Sequence, residues 1–163
     1  MSDMFDFGDG PIPARKHTKG GGWVAETATV ADSAYIGPEA RVYGDARVYG
    51  NAQVSGKARV YGNARVSGSA QVYGDARVYG DARVYGNARV SGKAWVYGIR
   101  RSDGYFFSAF YCQDGLYRVA AGCRYFTWAE ADEHWGSPKY RNPALARETK
   151  AILALLKIQT GQD

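Results

Sequence analysis

A β-branched residue stands at every sixth position from Val24 through Val30, Ile36, Val42 and on to Val96, thirteen times without a slip. Ala28, Ala34, Ala40 and onward to Ala94 stand four places after each of the first twelve. From Gly44 to Gly98 a glycine stands two places after, so the unit is V-x-G-x-A-x. An α-helix cannot keep a period of six on one face, because its own period is about 3.6 residues. A hairpin meander would need turns of varied length. A coil that gives each hexad one short strand and one corner accounts for the pattern. The β-branched residue and the small alanine point inward, and glycine allows the corner backbone its angles. Successive coils then pair in parallel, about 4.8 Å apart.

The residues next to the inward valines set the size of a coil. Tyr43, Tyr61, Tyr79 and Tyr97 are spaced by eighteen, as are Arg47, Arg65 and Arg83. Arg41, Arg59 and Arg77 form a further column, continued by Trp95. Ser67 interrupts the column of Tyr49 and Tyr85, and Ser55, Tyr73 and Ser91 alternate on the last face. Three hexads per coil place each column as a ladder along one outer face.

Residues 24–98 on this evidence resemble the hexapeptide-repeat family, the left-handed parallel β-helices found in many acyltransferases. The resemblance implies an all-β prism of about four coils, and a homotrimer with prisms packed side by side. It is specific for fold and weak for function. Residues 1–23 are expected to form an irregular N-terminal cover. Gly8, Gly10, Pro11, Pro13 and Gly20 to Gly22 interrupt regular structure there, and Trp23 is expected to plug the open end. Such ends need covers, because a bare end exposes apolar surface and unpaired backbone.

Residues 99–163 change character. Tyr105 to Cys112 reads as a strand, Asp114-Gly115 as a hairpin turn and Leu116 to Ala121 as the returning strand. Thr127 with Glu130 fits a capping box for a helix ending near Gly136. Asn142 and Pro143 suit the start of a last helix with Leu145, Thr149, Ile152, Leu153 and Leu156 on one face. The expected appendage is therefore a hairpin plus two helices. Its A-G-C-R-x-F-T-x-x-E-A-x-x-H-W run, from Ala121 to Trp135, resembles the C-terminal extension of bacterial and phage hexapeptide-repeat proteins without an assigned activity.

The formal net charge of +5 is spread thinly, which permits an acidic partner without demanding one. Cys112 and Cys123 form neither a metal spacing nor a disulfide framework. With no secretory signal and no long apolar run, the expected setting is the cytoplasm, with no membrane association.

Acyltransferases of the resembled family use a histidine as general base, with acyl-CoA along the prism. The repeat here holds no histidine and no inserted loop. Only His17 and His134 remain as weak catalytic candidates, so coenzyme A is expected only if the chain is such an enzyme. His17 reads as an exposed loop residue, and His134 as a cation near a helix C-terminus. Cys123 reads as a small residue packed at a strand end, or as a thiolate held by Arg124. No metal or other cofactor is expected.

The columns point to binding instead. Tyrosine stacks on sugars and bases, and arginine pairs with phosphate or carboxylate. Tyr43, Tyr61, Tyr79 and Tyr97, with Arg47, Arg65 and Arg83, are the candidate contacts for a protein partner or a small anionic or glycan ligand. Arg124 and Trp135 are the candidates on the C-terminal module. The bland alternative is that ladders follow from duplication, with one tyrosine face buried between subunits. Asp45, Asn63 and Asp81 dilute the positive field, so specific nucleic-acid binding is not expected. The sequence thus reads as a non-catalytic homotrimeric scaffold or binding protein. The alternatives are an acyltransferase with a site between subunits, or a phage protein that sequesters a host nucleotide or blocks a host complex.

Overall fold

A computed structural model describes residues 2–112, 114–137 and 142–162. It is a parallel β-helix with a small α+β appendage. Two leading strands, β1 (Asp3–Asp6) and β2 (Pro11–Lys16), form an antiparallel hairpin. The coils then run through β3 (Trp23–Ala25), β4 (Thr29–Val30), β5 (Tyr35–Ile36), β6 (Arg41–Val42), β7 (Arg47–Val48) and β8 (Gln53–Val54). They continue through β9 (Arg59–Val60), β10 (Arg65–Val66), β11 (Gln71–Val72), β12 (Arg77–Gly80), β13 (Arg83–Val84) and β14 (Arg89–Val90) to β15 (Trp95–Arg100).

Every third strand lies on the same face. The first face is β3-β6-β9-β12-β15, the second β4-β7-β10-β13 and the third β5-β8-β11-β14. Arg41 pairs with Arg59 and Arg65 with Arg83, which fixes the coil at the eighteen residues the columns demand. Between coils the backbone bonds are regular, with Tyr43 N–H donating to Val60 O at 3.0 Å and Arg59 N–H to Ala76 O at 2.9 Å. Inside, Val42 to Val84 and Ala34 to Ala88 of the repeat are fully buried. Valine suits this role because its branched side chain packs on a pleated surface and loses little freedom in a strand.

Alanine and glycine make the corners possible. Gly62 has φ +67°, and a Cβ added to it would come within 3.0 Å of the Gly80 nitrogen in the next coil. Only glycine meets both the left-handed backbone and the close approach.

The N-terminal segment corrects the expectation of an irregular cover. Despite its glycines and prolines, β1 and β2 extend the first face as antiparallel strands, with Arg15 opposite Val24. Pro11 is tolerated as the first residue of β2, and Pro13 because it precedes the segment, Ala14 to Lys16, that pairs with β3. Trp23 does not plug the end. It lies outward, in register with Arg41, its ring stacked on Phe5 at 4.4 Å. The end is covered by the loop after β2, where His17 N–H donates to Gly22 O at 2.8 Å and Gly22 N–H to Ile36 O at 2.9 Å.

The C-terminal appendage grows out of the first face without a break. Antiparallel β16 (Phe106–Tyr111) pairs with β15, followed by β17 (Tyr117–Ala121) and β18 (Arg124–Phe126). The expected hairpin is thus a three-stranded meander, because Arg124 to Phe126 pairs back on β17 before the helix begins. The meander closes the last coil. Arg83 N–H donates to Ser108 Oγ at 3.1 Å, Ala88 bridges Cys112, and Phe110 joins the solenoid core.

Helices α1 (Trp128–Gly136) and α2 (Pro143–Thr160) follow, each starting where its capping residues predict. The Thr127–Glu130 capping box is formed, and Asn142 accepts from Ala144 N–H and Leu145 N–H. Ile152, Leu153 and Leu156 of α2 meet Phe107, Val119, Ala131 and Trp135 in a second small core. Buried Arg101 ties the two parts together, bonding Asp103 through two nitrogens (2.9 and 2.7 Å) and Thr149 Oγ1 at 2.7 Å.

Candidate functional site

Because side chains alternate along a strand, each face presents one residue before and one after its inward valine. On the first face the residues after are Tyr43, Tyr61, Tyr79 and Tyr97. Their rings form one continuous stack, with centroids 4.9 Å apart for Tyr43–Tyr61, 5.4 Å for Tyr61–Tyr79 and 5.3 Å for Tyr79–Tyr97. Phe7 extends it below, 4.9 Å from Tyr43. Such offset stacks satisfy the rings themselves. Burial raises the Tyr43 hydroxyl pKa, and neighbouring Tyr61 adds to the shift against the lowering pull of Arg59. The arginines before the valines find ring partners too. The Arg41 guanidinium lies 5.2 Å from the Phe5 ring, and Arg77 lies 4.9 Å from Trp95. Phe5 and Phe7 escaped the sequence reading, because nothing before the repeat marked their strand as an extension of this face.

The second face is arranged differently. Arg47 and Arg65 are exposed and Arg83 is half-buried over Phe106 at 5.0 Å. None of the three is ion-paired among the described residues. On one side they border Asp45, Asn63 and Asp81, where Asn63 Nδ2 donates to Asp81 at 3.3 Å. On the other side Arg65 and Arg83, together with Tyr49, Ser67, Tyr85 and Gly122, line an open cavity of about 280 Å³. Burial pushes the Tyr85 hydroxyl pKa up to about 12, and the hydroxyl donates to Arg124 O at 2.8 Å.

A further groove, of about 310 Å³, lies between the rim of the last coil and the end of α2, with Trp95, Phe110 and Tyr117 in its wall. It escaped the sequence reading because it forms only where the appendage folds back onto the third face.

The remaining candidates fall elsewhere. Trp135 is 4% exposed and packs on Phe107 and Phe126, so it belongs to the second core and not to a contact surface. Arg124 has an exposed side chain, while its carbonyl receives Tyr85. His17 is not the exposed loop residue expected from its glycine-rich surroundings. It is 5% exposed, with Nε2 2.9 Å from Ala34 O, and serves as part of the N-terminal cover. His134 lies half-buried between Phe126 and Trp135, in the appendage at the opposite end of the coils. The two histidines therefore do not share a site. Cys123 is exposed in the turn before β18 rather than packed at a strand end. Cys112 is buried against the Tyr125 hydroxyl at 2.9 Å, and burial raises its pKa, which favours the neutral thiol. Among the described residues no group of three or more His, Cys, Asp or Glu side chains is placed to hold a metal ion. No helix among them is long and apolar enough to cross a membrane.

Residues 40–56, 58–71, 70–83 and 82–98 match the family model described as the YdcK beta-solenoid repeat. This part of the chain is similar to that repeat. The matched segments lie wholly within the coils, and the N-terminal hairpin and the appendage fall outside them. No curated protein and no solved structure matches the chain.

Proposed function

We propose that the chain is a non-catalytic, homotrimeric β-helical scaffold whose second face binds a small anionic ligand or an acidic partner. The observation that carries this reading is the column of Arg47, Arg65 and Arg83, held at coil spacing by the β-ladder and without a carboxylate partner among the described residues. A row of guanidiniums that lacks such carboxylates and lies beside tyrosines is suited to meet phosphate or carboxylate. The first face supports the trimer, because its tyrosine stack and the exposed Trp95 make a rigid aromatic strip of the kind enriched in subunit interfaces. The engagement of His17 in the end cover supports a role outside acyl transfer.

Native mass spectrometry of the protein as purified from cells tests the reading. The expected result is a trimer, either bare or carrying a small anionic molecule. A monomer would remove the trimer, and retained coenzyme A would overturn the non-catalytic assignment.

A further inference from the structure

The cavity on the second face has a shape that the ladder itself explains. Tyr49, Ser67 and Tyr85 occupy the same position in three successive coils, because Val48, Val66 and Val84 are aligned above one another. On the first face the same position carries a tyrosine in four successive coils, from Tyr43 to Tyr97, with the first three ring centroids 4.9 and 5.4 Å apart. Ser67 therefore removes one ring from a stack and leaves its neighbours two coil steps apart, about 9.6 Å. That gap accepts one aromatic layer at about 4.8 Å from each wall, within the range aromatic pairs favour. The outer side of Tyr85 is already covered by Tyr125 (5.4 Å) and Phe110 (6.3 Å), so its free side is the one facing Ser67. Tyr49 is exposed and forms the other wall.

Charge decides what the ring must carry. Arg65 and Arg83 lie along the same cavity, one coil apart, and neither has an ion-pair partner among the described residues. A carboxylate is satisfied by one guanidinium in a bidentate pair, whereas a phosphate dianion offers enough oxygens and charge for two. The volume of about 280 Å³ lies just below the range usual for ligand sites, which favours a mononucleotide-sized occupant over a larger one. The column holds a single gap between two rings, so a polymer finds no second slot in register. The third face shows the contrast: Ser55, Tyr73 and Ser91 place one ring between two gaps, and Arg89 already covers Tyr73 at 5.5 Å.

We infer that Tyr49, Ser67 and Tyr85, with Arg65 and Arg83, form a slot for a nucleoside monophosphate. The base takes the place of the missing tyrosine ring and the phosphate lies on the two guanidiniums. This deepens the anionic-ligand part of the reading above and does not depend on the trimer.

The test is calorimetric titration of the full chain with AMP, adenosine and inorganic phosphate separately. AMP is expected to bind at least tenfold more tightly than either fragment. Ser67→Tyr restores the ring that the first face carries, so the variant is expected to fold and to lose AMP binding. Arg65→Gln with Arg83→Gln is expected to weaken AMP at least tenfold while leaving the weak adenosine binding unchanged. Absence of AMP binding at millimolar concentration would overturn the slot. So would phosphate binding as well as AMP, or AMP binding that Ser67→Tyr leaves intact. Native mass spectrometry of the same samples keeps the two readings apart. A trimer that ignores AMP sinks the slot alone, and a monomer that binds it sinks the trimer alone.

Discussion

The first and second faces of this solenoid are made from the same hexad and carry the same valines inside, yet their outer surfaces differ in kind. On the first, Tyr43, Tyr61, Tyr79 and Tyr97 stack on one another, and Arg41 and Arg77 lie over the rings of Phe5 and Trp95. Its aromatic and cationic groups are spent on each other. On the second, one serine interrupts the tyrosines, and the arginines beside it have no carboxylate partner among the described residues, although Arg83 also lies over the Phe106 ring. A repeat fixes the inner residue by packing, because a core position tolerates little change in volume. The outer residue is free to vary, so a single substitution per coil turns a self-satisfied surface into one with unmet capacity to bind.

The largest expected effect tests the shared half of this comparison. Val60→Ala lies under the first face and Val66→Ala under the second, both fully buried. Each is expected to cost about 2–3 kcal/mol through lost burial and the cavity left behind. Urea unfolding measures both. A difference larger than about 1 kcal/mol would mean that the cores beneath the two faces are not equivalent.

A smaller pair of effects, opposite in sign, tests the unshared half. Tyr61→Ser opens a gap in the filled stack and breaks two ring contacts, at a cost of about 1–2 kcal/mol. Ser67→Tyr closes the gap on the second face and is expected to add about 0.5–1 kcal/mol, since the new ring meets Tyr49 and Tyr85. If both variants destabilise, the position of Ser67 does not accept a ring, and the gap is a steric requirement rather than an opening.

The same division explains how much could be read from the sequence. The coils were legible because thirteen inward residues repeat at a fixed interval, and the columns gave the eighteen-residue register seen between Arg41 and Arg59 or Arg65 and Arg83. Both helix starts were legible from Thr127, Glu130 and Asn142, whose side chains cap the helix backbone, and from Pro143 at the first helical position. The ends were not. Pro11, Pro13 and the neighbouring glycines disguised a hairpin whose pairing depends on β3, a long-range partner. His17 looked exposed, because its bond to Ala34 O requires a chain reversal that no local signal announces. Trp135 looked like a contact residue, because its burial depends on Phe107 and Phe126 of the meander. Ser67 was visible as an interruption. Its significance as a gap between two rings needed the alignment of three coils.

The smallest effect concerns Tyr85, where the second face meets the appendage. Its hydroxyl bonds Arg124 O, so Tyr85→Phe is expected to cost about 0.5–1 kcal/mol at neutral pH. The pH dependence is more telling. Burial raises the folded-state pKa to about 12 from the ordinary 10.0, so the folded protein holds a proton that the unfolded chain releases first. Stability from this group is fully present below pH 10 and is lost as pH rises through 12. Tyr43 and Tyr125 are also raised, chiefly by burial, so the wild-type loss in this window has several contributors. Tyr85→Phe is therefore expected to make the fall shallower without removing it, as followed by urea midpoints at successive pH values. An unchanged slope would place Tyr85 in ordinary solvent, with its ring turned away from Tyr125 and Phe110. The slot at Ser67 would then lose its upper wall, while the stack of the first face would stand unaffected.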